Sequence, residues 1–214
     1  VPTELLEREA PIAGGGAVPP AGRGDDGGEG SPRPAPGILG DPELFAVCAL
    51  LAAVSMMFVA LTSAYMFRRA AGDWRPVAPP AVLWLNSAAL LASSATLEQA
   101  RRRLRGWDAP GARARFAATG ALGTLFVAGQ YAAWQALRAQ GVYLASNPHS
   151  SFFYVLTGLH ALHLLGGLAW YARVGLALRR PVEPPGPDAL RLFAVYWHFL
   201  GALWVYLVLL LFVF

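Results

Sequence analysis

Apolar positions gather into five long stretches, residues 42–67, 79–100, 116–137, 151–171 and 189–214, with short polar or proline-broken segments between them. Each approaches the roughly 20 residues that a helix rising ~1.5 Å per residue needs to cross a hydrocarbon layer ~30 Å thick. A span must also satisfy its backbone polar groups internally, which in lipid leaves helices or closed barrels. The pattern therefore predicts an all-α, polytopic membrane bundle of five transmembrane helices over residues 41–214. Residues 1–40 hold ten of the 23 glycines and seven of the 17 prolines, and that composition reads as a disordered Gly/Pro-rich tail.

The breaks carry their own signals. Asp41 followed by Pro42 is a helix start, an acidic cap before a residue that needs no N–H donor. GDWRPVAPP around Trp74 closes the first loop, with Trp74 expected as an interfacial aromatic. Asn147 and Pro148 break the chain before the fourth span, with Ser150 and Ser151 available as caps and His149 read as a helix-start residue at the outer loop. RRPVEPPGPD separates the last two spans.

Composition sharpens the picture: 56% of the residues are hydrophobic and 14% charged, more apolar surface than a soluble core of this size can bury. The net charge of +4 comes from seventeen basic residues, all arginine. Thirteen fall on the side of the N-terminal arm, the second loop and the fourth loop, and four on the opposite side. The positive-inside rule then places the N-terminus in the cytoplasm and the C-terminus on the periplasmic side. The basic loops are topology signals and lipid contacts, not a nucleic-acid surface. A lone cysteine, Cys48, excludes an intrachain disulfide and a cysteine metal cluster, and the opening VPTELLEREAPIAGGG shows no cleavable signal pattern.

Ser87, Ser93, Ser94, Gly120, Gly123, Gly166 and Gly167 lie in or beside the spans and allow close helix contact. Ionisable groups inside a membrane are the default functional candidates, and here they are few. After Glu43 the acidic residues are Asp73, Glu98, Asp108, Glu183 and Asp188, all in loops or at span ends. An autonomous proton-coupled transporter, a di-iron centre and a zinc-protease motif each need a carboxylate that is missing from the spans. His160 and His163 share one face of the fourth helix, and His198 lies about ten residues into the antiparallel fifth, so His163 and His198 reach similar depths. They suit either axial ligation of a haem or hydrogen-bonded locking of two helices.

Residues 146–167, SNPHSSFFYVLTGLHALHLLGG, resemble the Phe-Phe-x-x-Thr-Gly-x-His-x-x-His signature of subunit III of haem-copper oxygen reductases, in its bacterial five-helix form. The matching positions are Phe152, Phe153, Thr157, Gly158, His160 and His163. A second block, YWHFLGALWVYL, supplies Trp197, His198, Phe199 and Trp204; weaker matches are MMFVALTSAYMFRR and LWLNSAALLASSATLEQAR. The similarity runs from about Glu43 to the C-terminus.

The resemblance implies a non-catalytic subunit of cytochrome c oxidase in the bacterial inner membrane, with no metal of its own. Haem and copper would sit in subunits I and II, and phospholipid would bind among the helices. An upstream cytochrome c reductase is a possible supercomplex partner. In that reading the histidines are structural. Arg101, Arg102 and Arg191 are the candidate phospholipid contacts, and Glu98 the candidate for proton uptake. Two positions depart from many relatives, with Val54 and Gly201 or Leu200 standing where membrane carboxylates are common. The alternatives are the equivalent subunit of a quinol oxidase or nitric oxide reductase, and a small haem b membrane protein.

Overall fold

The computed structural model describes residues 41–71, 74, 79–179 and 190–213, so the expected tail over 1–40 lies outside the described residues. Five helices account for nearly all of them: α1 (Pro42–Arg69), α2 (Val82–Arg105), α3 (Ala109–Ala139), α4 (Pro148–Leu178) and α5 (Arg191–Phe212). Among these, α1, α4 and α5 are long and apolar enough to cross a membrane. In α2 and α3 arginines crowd the joined ends and amides and hydroxyls interrupt the apolar pattern.

Helix starts follow from local chemistry. Asp41 is extended and its carboxylate accepts the Leu44 N–H at 3.1 Å, with Pro42 behind it, as the sequence predicts. Asn147 forms a full capping box: its side chain accepts the Ser150 N–H at 3.0 Å, while the Ser150 hydroxyl accepts the Asn147 N–H at 3.1 Å. The helix therefore begins at Pro148, ahead of the predicted residue 151. A third start went unread. Asp108 accepts the Gly111 N–H at 2.9 Å and Pro110 stands in the first turn, so α3 begins at Ala109 although the apolar pattern starts only at Phe116.

The short turn from α2 to α3 makes this the most intimate helix pair in the chain. Within it Trp107 adopts the left-handed region at φ 59°, where a non-glycine residue is uncommon. Along the interface the Thr96 and Thr119 hydroxyls meet at 2.9 Å, and a Cβ at Gly129 would overlap the Asn86 amide. Helices α2, α3, α4 and α5 then close a ring of successive contacts, and α1 packs from outside against α4 and α5. At one end Arg113 Nε donates to the Leu178 carbonyl at 2.8 Å, satisfying an orphan acceptor at the end of α4.

Large aromatics fill the ring, with Trp197, Trp204, Phe126, Phe153 and Phe193 almost wholly buried. Two indoles tie α5 to α2: Trp197 Nε1 donates to Ser93 Oγ at 3.0 Å and Trp204 Nε1 to Ser87 Oγ at 2.9 Å. Helix α1 buries one stripe, Val47, Val54, Phe58 and Tyr65. It leaves Phe45, Leu50, Met56, Val59, Met66 and Phe67 exposed. An apolar flank of that kind belongs against lipid or another subunit.

Two carboxylates outside the spans make the chain acid-sensitive. The Leu44 N–H and the Arg191 guanidinium, which forms an ion pair with Asp41, hold the Asp41 carboxyl below its usual range. The Gly111 N–H and Arg103, at 2.7 Å, do the same for Asp108. A depressed folded pKa contributes stability above the unfolded carboxylate value, which is lost as pH falls through the folded one. The unfolding temperature in detergent is therefore expected to drop below about pH 4. The doubly substituted Asp41→Asn/Asp108→Asn protein should start lower and show a flatter acid limb; an acid limb as steep as the parent's would contradict this.

Candidate functional site

The α4 motif puts its polar residues on the face that packs inward. His149, Ser150, Phe153, Thr157, His160 and Gly167 recur at the helical spacing on the buried side. His149 stands in the first turn of α4, the helix start expected of it, but it does more than open the helix: it is buried, and its Nε2 lies 3.2 Å from the Leu211 carbonyl oxygen near the end of α5. Trp74 is likewise turned inward, edge-on to Tyr65 at 5.0 Å and to His149 at 5.2 Å. Phe152 completes that cluster against Tyr65 at 5.6 Å, and Phe153 packs on Phe212 at 6.0 Å. Together these contacts clamp the start of α4 to the ends of α1 and α5.

One turn deeper, the Thr157 hydroxyl donates to the Phe153 carbonyl at 2.6 Å and accepts Trp134 Nε1–H at 3.1 Å, joining α4 to α3. His160 is fully buried, with Trp204 at 5.1 Å and Phe126 at 5.7 Å between ring centroids. His163 sits on the α1 side, its Nδ1 2.7 Å from the Leu159 carbonyl oxygen and its ring 6.0 Å from Phe58. The Tyr196 hydroxyl donates to the His163 carbonyl at 2.9 Å. Gly158 is the exception in the motif: a Cβ there would meet nothing within 4 Å, so close packing inside this chain does not require glycine at that position.

His163 and His198 engage different neighbours. His163 engages Leu159 and Phe58, whereas His198 is half-buried and within electrostatic reach of Glu98 and Arg101. A bis-histidine haem needs two imidazoles facing one iron, whereas His163 Nδ1 is engaged by the Leu159 carbonyl and its ring packs on Phe58. Phe199 lines a groove of about 280 Å³ with Ser55, Phe58, Val59 and Tyr206 between α1 and α5. Val54 and Gly201 are both buried here.

The structure does join other predicted residues. Glu98 pairs with Arg101 at 2.8 Å and with Arg102 at 3.5 Å, and His198 lies within their electrostatic reach across the α2–α5 contact. Arg191 is placed apart from them, paired with Asp41. Sequence reasoning missed Asn86 and Gln130, both buried amides. The signal was present as single amides within otherwise apolar runs, LWLNSAALL and VAGQYAAW.

The polar inventory of this interior is imidazoles, indoles, hydroxyls and amides, suited to hydrogen bonding and packing. Among the described residues no group of three or more His, Cys, Asp or Glu is placed to hold a metal ion. Comparison with known proteins agrees with the motif. The family model described as cytochrome c oxidase subunit III matches residues 43–214. The chain is 33% identical over 194 residues to cytochrome c oxidase subunit 3 of Synechocystis sp., covering 85% of this chain and 81% of that one. It is 34% identical over 158 residues to a probable cytochrome c oxidase subunit 3 of Nocardia farcinica, covering 70% and 77%. A third relative, cytochrome c oxidase subunit 3 of Thermostichus vulcanus, is 28% identical over 179 residues.

Proposed function

The chain belongs to the cytochrome c oxidase subunit III family, and from that premise we propose how it serves the oxidase. It packs against the catalytic subunit I, with subunit II in the same complex. It holds phospholipid against its helices and sustains proton uptake while haem and copper in those partners reduce oxygen. All five helices cross the bacterial inner membrane, with the N-terminus cytoplasmic and the C-terminus periplasmic. The arginine distribution and the length of α1, α4 and α5 support this topology.

The observation that carries the proposal is the division of labour between helices. The motif histidines and tryptophans are spent on internal packing. In contrast, α1 offers a continuous apolar flank from Phe45 to Phe67. A chain built this way stabilises a neighbour.

Lipid binding draws support from Arg102, whose side chain stays 75% exposed despite its long contact with Glu98. Its guanidinium retains donors for a phosphate. Arg101 and Arg191 are more committed to their carboxylate partners, at 19% and 41% exposure, and would contribute mainly field. Phospholipid that resists delipidation in the parent complex should be lost more readily from Arg102→Gln; equal retention would remove Arg102 from the site.

Proton uptake rests on Glu98, the acid of the described helices that joins a basic cluster and a histidine at the end of α2. In the assembled oxidase, Glu98→Gln should slow proton uptake and hasten turnover-linked inactivation. Uptake and inactivation at the parent's rates would rule this antenna out.

A further inference from the structure

Three buried polar side chains inside the helix ring have no hydrogen-bond partner. Asn86 is 2% exposed, Gln130 1% and His160 0%. The unpartnered atoms are Asn86 Nδ2, Gln130 Nε2 and Oε1, and both ring nitrogens of His160. They come from three helices, α2, α3 and α4, and the contacts of their neighbours bring them to a similar level.

Asn86 lies against Gly129, next to Gln130 in α3. Gln130 is one turn from Phe126 and one turn from Trp134 on the same helical face. Phe126 packs on His160 at 5.7 Å, and Trp134 bonds Thr157, three residues before His160, at 3.1 Å. On the fourth side Trp204 stands 5.1 Å from His160 and bonds Ser87, the neighbour of Asn86. The three groups thus share one neighbourhood, linked through Gly129, Phe126, Trp134 and Trp204.

A buried amide or imidazole left without a partner is strongly disfavoured, and native interiors satisfy such groups with protein atoms or ordered water. Here the surrounding surfaces are the rings of Phe126 and Trp204, which offer no acceptor to an amide N–H, and Trp204 Nε1 is already committed to Ser87. The unmet capacity is mixed: amide N–H groups on Asn86 and Gln130, a carbonyl oxygen on Gln130, and one donor plus one acceptor on a neutral imidazole. Water, both donor and acceptor, meets that mixture where a single ion of either sign does not.

We propose that Asn86, Gln130 and His160 form a buried water-binding site between α2, α3 and α4. At about three hydrogen bonds per buried water, roughly two or three molecules satisfy it. The site gives this interior a hydrated, uncharged layer and ties three helices through shared waters, in a chain with no carboxylate at Val54 or Gly201. It stands independently of the proton-uptake role of Glu98, which lies on α2 three turns further along.

A density map of the intact oxidase complex at a resolution that shows ordered water tests the proposal directly. The expected result is about two or three solvent peaks within hydrogen-bonding distance of the Gln130 amide and the His160 ring nitrogens. Direct side-chain bonds among the three residues with no density between them would overturn it. Magic-angle-spinning NMR of the same complex supplies a second measurement. Water-to-His160 magnetisation transfer should be present in the parent and lost in Gln130→Leu, and a parent without that transfer would equally overturn the site.

Discussion

Replacing Trp204 by alanine is expected to destabilise the folded chain by about 3–5 kcal/mol, the range for removing a fully buried large aromatic. Trp204 is 1% exposed, meets Phe126 edge-on at 4.8 Å and covers His160 at 5.1 Å. Its indole N–H is one of two such bonds holding α5 to α2. Alanine removes the packing and the bond together and opens a void in the middle of the ring. Phenylalanine keeps most of the packing and loses the bond to Ser87. In a membrane such a bond is worth about 0.6 kcal/mol on average, so Trp204→Phe should cost far less. Unfolding monitored by denaturing detergent would separate the two. If alanine and phenylalanine proved equally mild, the ring would not depend on Trp204.

The second large effect lies at the α2–α3 contact. A Cβ at Gly129 would overlap the side chain of Asn86, which is 2% exposed. Gly129→Val should therefore force the helices apart and cost about 1–3 kcal/mol by overpacking, despite glycine's own low helix propensity. Gly120 poses a similar clash with Tyr171, but that ring is only half-buried and can move. The double variant Asn86→Ala/Gly129→Val should recover part of the loss, because the two changes share one space. Additive losses in that cycle would contradict the contact.

These residues also mark where sequence reading stops. Five helices were legible because apolar length is a strong signal, and so were the starts at Asp41 and Asn147, where cap and proline chemistry is local. The start at Asp108 obeys the same chemistry but sat inside an arginine-rich segment read as loop. His160 and His163 were correctly placed on one helix, yet adjacent positions on a helix do not fix which neighbours they face. His163 turned to Phe58 and His160 to Trp204. Likewise the arginines chosen for lipid were chosen on charge alone: Glu98 lies one helical turn before Arg101 and Arg102, and the fold supplied Arg191 with Asp41, a partner that distance along the chain conceals. Asn86 and Gln130 escaped because a single amide in an apolar run has no periodicity to announce burial.

The central claim is that this chain is a subunit without a redox centre of its own, held in an oxidase by its apolar flank. Its most direct test is purification of the chain from its membrane in mild detergent, with mass spectrometry of what accompanies it and a reduced-minus-oxidised spectrum before and after stripping the partners. The account predicts copurifying haem- and copper-bearing subunits and a haem spectrum that leaves with them. A haem spectrum retained by the isolated chain would contradict it.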